Sequence, residues 1–215
     1  MRVPLAFCLL PFALFGCITT RDEQARDYNG DGVFLFERGQ YAEARESFQA
    51  ALALKPDDAG FLYNLGECCE RQGDVARAEK YYDQCLERAP DHSACRHALI
   101  RLLVKSGKFP TAKQLVLDRV ARQPDRADCH ADAGWLYHQA GDLPRAQAYL
   151  QKALELDPHH APALVELGLV YEAMERPERA VVLYERSLAQ RPNQPEVKSR
   201  VQFLLTKNVG RPMPE

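Results

Sequence analysis

The chain has 215 residues and a formal net charge of −2, a balance that excludes a nucleic-acid binder held by bulk electrostatics. Its 46% hydrophobic and 27% charged residues are ordinary for a folded body, so disorder throughout is excluded. No apolar run approaches the roughly 20 residues that span a bilayer as a helix.

The first predicted element is a targeting segment. Arg2 and the free amine precede an apolar stretch from Leu5 to Phe15, and further charges begin only at Arg21. This is the layout of a secretory signal, residues 1–16, and Pro4 and Pro11 weaken a continuous helix through it. The stretch closes on Leu14-Phe15-Gly16-Cys17. It resembles a bacterial lipobox, with Leu three places before the cysteine and Gly directly before it, although Phe15 stands where a small residue is usual. The resemblance implies cleavage before Cys17 and lipidation of its thiol, with residues 17–24 as a polar tether. Two or more acyl chains hold firmly to a membrane where one does so marginally. Ile18 is not the Asp that, in such proteins, favours inner-membrane retention, so the implied destination is the periplasmic side of an outer membrane where the cell has one.

From Ala25 onward the sequence repeats every 34 residues without insertion: 25–58, 59–92, 93–126, 127–160 and 161–194. Numbering each repeat from 1, position 32 holds Pro56, Pro90, Pro124, Pro158 and Pro192, and position 20 is Ala in all five. Position 8 holds Gly32, Gly66, Ile100, Gly134 and Gly168, and position 24 holds Phe48, Tyr82, Val116, Leu150 and Tyr184. Position 15 is Gly in four repeats and Glu175 in the fifth. The spacing predicts two helices per repeat, A over positions 1–14 and B over about 18–30. Small residues at 8 and 20 allow close approach, a large residue at 24 fills the gap, Gly at 15 turns the chain out of helix A, and Pro at 32 stops helix B. One such pair cannot bury its own apolar face, so the repeats must stack. Repeat 3 departs most, with Arg96, Ile100, Val116 and Arg119 at framework positions. Residues 195–207 read as a capping helix with Val197, Val201, Leu204 and Leu205 as its apolar stripe, and 208–215 as a loose tail.

The framework is similar to the tetratricopeptide repeat (TPR) family. The resemblance implies an all-α, right-handed superhelical solenoid of five repeats plus the cap. It also implies a concave groove floored by positions 2, 5, 9, 12 and 13 of the A helices, holding a peptide or protein segment. Those positions carry Asn29, Tyr63 and His97 (position 5); Glu67, Arg101, Trp135 and Leu169 (position 9); His138 (position 12); and Lys105 (position 13). Aromatic and Arg residues are the usual anchors of interfaces. Trp135 is the only Trp and lies off the packing positions; it either anchors a partner or packs sideways on its neighbours. The family's clamp for C-terminal carboxylates needs Lys and Asn at set groove positions that do not carry that set here. Repeat 3 holds eight Lys/Arg against two acids, while repeats 1, 2 and 4 are each at −3. The excess is either a solvated face or a seat for an acidic segment.

Chemistry beyond binding finds little support. Asp27-Tyr28-Asn29-Gly30-Asp31-Gly32 opens like a calcium loop, but the position for its last acidic ligand is Arg38. The same composition, poor in helix formers, predicts a frayed first helix. Asp128, Cys129, His130 and Asp132, with His138, look ligand-like, yet on a helix Asp128 and Asp132 share a face that Cys129 and His130 do not. His159 and His160 read as exposed turn. No metal, cofactor or catalytic residue is expected. Beyond Cys8 and Cys17 five cysteines remain, an odd number that sits awkwardly with an oxidising compartment. Two readings follow: a lipid-anchored envelope scaffold, resembling envelope-assembly lipoproteins such as the pilotins of pilus secretion rings, or a cytosolic adaptor without lipidation.

Overall fold

The computed structural model describes residues 20–207; the predicted signal, the lipidation cysteine Cys17 and the predicted tail fall outside the described residues. Those residues form eleven helices and no strand. In chain order they are α1 (Arg21–Glu37), α2 (Tyr41–Leu54), α3 (Ala59–Arg71), α4 (Val75–Arg88), α5 (Ser93–Lys105), α6 (Phe109–Arg122), α7 (Ala127–Gln139), α8 (Leu143–Leu156), α9 (Ala161–Ala173), α10 (Pro177–Gln190) and α11 (Pro195–Thr206). Each packs on the next in sequence. Odd-numbered helices also meet one another, α3 with α5, α5 with α7 and α7 with α9, so they line one face of an all-α solenoid.

The framework residues act sterically as their sizes require. A Cβ placed on Gly32, Gly66, Gly134 or Gly168 would stand 2.3–2.5 Å from the side chain at position 24 of the same repeat. The bare glycine backbone is therefore the seat of that ring or Leu. Repeat 3 exchanges the volumes: Ile100 replaces the glycine, Val116 replaces the ring, and both are buried. The turn after each A helix needs a left-handed residue. Gly39, Gly73, Gly107 and Gly141 adopt φ of 74–78°, and Glu175 is forced to 58° in the same role. The following amide bonds back across the turn in both versions, Gln40 N to Leu35 O at 3.0 Å and Arg176 N to Tyr171 O at 2.8 Å. The C-cap residue of each B helix in the five repeats stands directly before proline. The residues in that place, Lys55, Ala89, Gln123, Asp157 and Arg191, share φ between −131° and −138°, as the clash with the proline ring demands.

Two expectations need correction. The first helix is not frayed: α1 runs unbroken through Gly30 and Gly32 and starts at Arg21, inside the stretch read as tether. Thr20 accepts from the Glu23 amide at 3.2 Å and the Glu23 carboxylate accepts from Thr20 N at 2.7 Å, a reciprocal cap that offsets the poor helix formers. In α11, Val197, Val201 and Leu204 are buried, but Leu205, read as part of the same apolar stripe, is 39% exposed.

A helical face with paired charges and a hollow

The predicted groove residues fall into two groups along the odd-numbered helices. Toward the N-terminus, Arg101 on α5 donates to Glu67 Oε1 and Glu70 Oε2 on α3, both at 3.0 Å, and Lys105 donates to Glu70 Oε1 at 3.0 Å. The Tyr82 hydroxyl rises from α4 to donate to the same carboxylates, at 2.9 Å to Glu67 and 3.2 Å to Glu70. Burial pushes the Tyr82 hydroxyl well above its ordinary range, as does Glu67 beside it, so it stays protonated and donates. Burial opposes the charge on Glu70, but the hydrogen bonds from Arg101 and Lys105 outweigh it and hold the carboxyl low. Tyr63 lies against His92, ring centroids 5.6 Å apart, and Asn29 accepts from Asn64 at 2.9 Å.

Further along, Trp135 on α7 is half-buried, with the His97 ring edge-on at 5.2 Å. His97 Nδ1 meets Asp132 Oδ1 at 3.0 Å, and His138 Nδ1 meets Glu166 Oε1 at 2.6 Å. Beneath them Arg96 is only 2% exposed; its Nε donates to Asp132 at 2.7 Å and its Nη2 to Asp128 at 2.6 Å. Burial opposes the Asp128 charge, but hydrogen bonds from Arg126 and Arg96 bring its carboxyl down to about 2. Trp135 packs beside His97, and it also walls a hollow of about 640 Å3 between α5, α7 and α9. Ala131, Pro162 and Val165 are among the apolar lining. Leu169, on the same helix as Val165, is partly buried against the core.

The excess charge of repeat 3 works between repeats. Six of its eight cations reach acids of repeats 2 or 4: Arg101 and Lys105 as above, Lys108 to Glu79, Arg119 to Asp91, Arg96 to Asp128 and Asp132, and Arg126 to Asp128 and Asp91. An acidic partner on that patch would have to displace these pairs.

Sequence reasoning placed Asp128 and Asp132 on one face, and both bind Arg96. Cys129 turns instead to Gln123 and His130 Nε2 to the Pro124 carbonyl. No group of three His, Cys, Asp or Glu suited to a metal occurs among the described residues. Sequence reasoning missed Glu166, at position 6, and the rim residues Arg191 and His160. His160 is not exposed turn but the half-buried N-cap of α9, its Nδ1 accepting from Ala163 N at 3.2 Å. The five described cysteines are buried and unpaired, and burial, with Cys69 alongside, pushes the Cys68 thiol up to about 12. No helix among the described residues is long and apolar enough to cross a membrane.

Paired helices, glycine seats and a face built from the A helices define a TPR solenoid. Two family profiles described as tetratricopeptide repeat match, one over residues 35–93 and the other over 70–131 and 137–200. The chain belongs to the tetratricopeptide repeat family. Among solved structures it is similar to a thermophilic TPR protein of Thermus thermophilus (24% identity, 85% of this chain and 99% of that one, TM-score 0.67). It also resembles PilF of Pseudomonas aeruginosa (17% identity, 87% and 86%, TM-score 0.59). Both likenesses concern the fold. The outer dynein arm-docking complex subunit 4 of Danio rerio is 44% identical over 48 residues, 22% of this chain; the match spans only 10% of that protein's length.

Proposed function

We propose that the protein is a non-catalytic scaffold whose A-helix face holds a segment of a partner protein, in the assembly of a larger complex. The observation that carries this reading is the hollow beside Trp135, where apolar side chains stay open to solvent amid charged groups most of which are paired with one another. Interfaces concentrate their energy in such partly desolvated aromatic seats. Neither Trp135 nor Val165 is a glycine seat or a member of an ion pair, so Trp135→Ala and Val165→Asp remove no partner from those contacts. Each should lower retention of the partner recovered with the wild-type chain by about tenfold or more. Retention unchanged in both variants would remove the groove from the function.

The lipobox-like Leu14-Phe15-Gly16-Cys17 supports a chain anchored by lipid at Cys17 on the bacterial envelope. Intact mass of the chain recovered from membranes tests this: a polypeptide starting at Cys17 with added acyl mass is expected, and Cys17→Ser should abolish it. The five unpaired buried thiols favour the alternative, a cytosolic adaptor without lipid. Recovery of the full-length chain in the soluble fraction with Met1 or Arg2 at its start would select that reading.

A further inference from the structure

The charged groups around the Trp135 hollow are nearly all engaged. Arg96 is held by Asp128 and Asp132, Asp128 is also held by Arg126, Asp132 by His97, and Glu166 by His138. Arg191, the C-cap of α10, lines the same hollow, is exposed, and forms no ion pair among the described residues. His160 lines it too. Its Nδ1 accepts the Ala163 amide, so the neutral ring carries its proton on Nε2 and offers a second donor. The hollow therefore combines an apolar floor with donors at one rim and carboxylates that already hold hydrogen-bond partners.

We infer that this hollow takes a large apolar side chain flanked, within one or two residues, by a carboxylate that pairs with Arg191 and His160. This deepens the scaffold reading and rests on it. A basic flanking residue is disfavoured, because Asp128, Asp132 and Glu166 each already hold a partner and Arg191 would repel it. The acidic preference belongs here, at the repeat 4–5 junction, and not on the basic patch of repeat 3, six of whose eight cations are bound to neighbouring repeats.

Trp135 is the only Trp, so its fluorescence reports occupancy of the hollow directly. The full chain is panned against a random heptapeptide library. Three blocked peptides, acetyl-Gly-Leu-Phe-Asp-Gly-amide and its Asn and Lys counterparts, are titrated against Trp135 emission. Enrichment of sequences pairing an apolar with an acidic residue is expected, with the Asp peptide binding about fivefold tighter than the Asn peptide, the worth of one partly exposed ion pair. Arg191→Gln should erase that difference while leaving the Asn peptide unchanged; the residue is exposed and forms no ion pair among the described residues. Enrichment of apolar sequences with basic flanks or no charge preference overturns this inference and leaves the scaffold reading standing. No enrichment and no change in Trp135 emission overturns both.

Discussion

A Cβ on Gly66 would lie 2.3 Å from the Tyr82 ring, whereas one on Gly30 would meet nothing within 4 Å. Both glycines are helical, so alanine gains the same backbone propensity, up to about 1 kcal/mol, at each. Overpacking costs about 1–3 kcal/mol and acts only at Gly66. Urea unfolding should thus show Gly30→Ala stabilised and Gly66→Ala destabilised; the same sign in both would refute the steric account of the repeat. Glu175 offers the converse experiment. Its φ of 58° is a conformation that costs an L-residue roughly 1–2 kcal/mol, so Glu175→Gly should stabilise by about 1 kcal/mol. The sequence marked this position as the one break in the run of turn glycines. It did not show whether the turn would change or the glutamate would yield, because that depends on how strongly the flanking helices dictate the geometry.

Between elements, the junction of α5 with α7 depends on buried charge. The Asp128 carboxyl is lowered to about 2 by the hydrogen bonds of Arg126 and Arg96, against the opposing effect of burial. Its folded value lies below its unfolded one, so its contribution is fully present above about pH 4 and is lost as pH falls toward 2, a change of roughly 2 kcal/mol. Asp128→Asn should unfold more easily at neutral pH and show a flatter loss of stability between pH 4 and 2; parallel pH profiles for the two chains would contradict the assignment. Arg96 was legible only as a misfit at a framework position. The missing signal was charge at one repeat's distance: Arg101 pairs with Glu67, 34 positions away, and Arg96 with Asp128 and Asp132, 32 and 36 away. Opposite charges set about one period apart in a stacked array face each other, and a scan for such pairs would have assigned repeat 3 its role.

At the scale of the whole molecule, the solenoid was readable because its period is steric, and glycine, alanine and proline declare their backbone needs locally. The hollow was only partly readable. Position numbers put His97, Trp135 and His138 on one face, but Glu166, Arg191 and His160 join them through a neighbouring helix and two caps. Their approach depends on how the repeats stack, which no single repeat encodes. The central claim is that partners are gripped on the A-helix face and not on the outside formed by the B helices. A photo-crosslinking residue at Val165, in the hollow, compared with one at Val182, exposed on α10, tests it most directly in cells. The account predicts a discrete crosslinked partner from Val165, lost on Trp135→Ala, and none from Val182. Equal capture from both positions, or capture from Val182 alone, would contradict it.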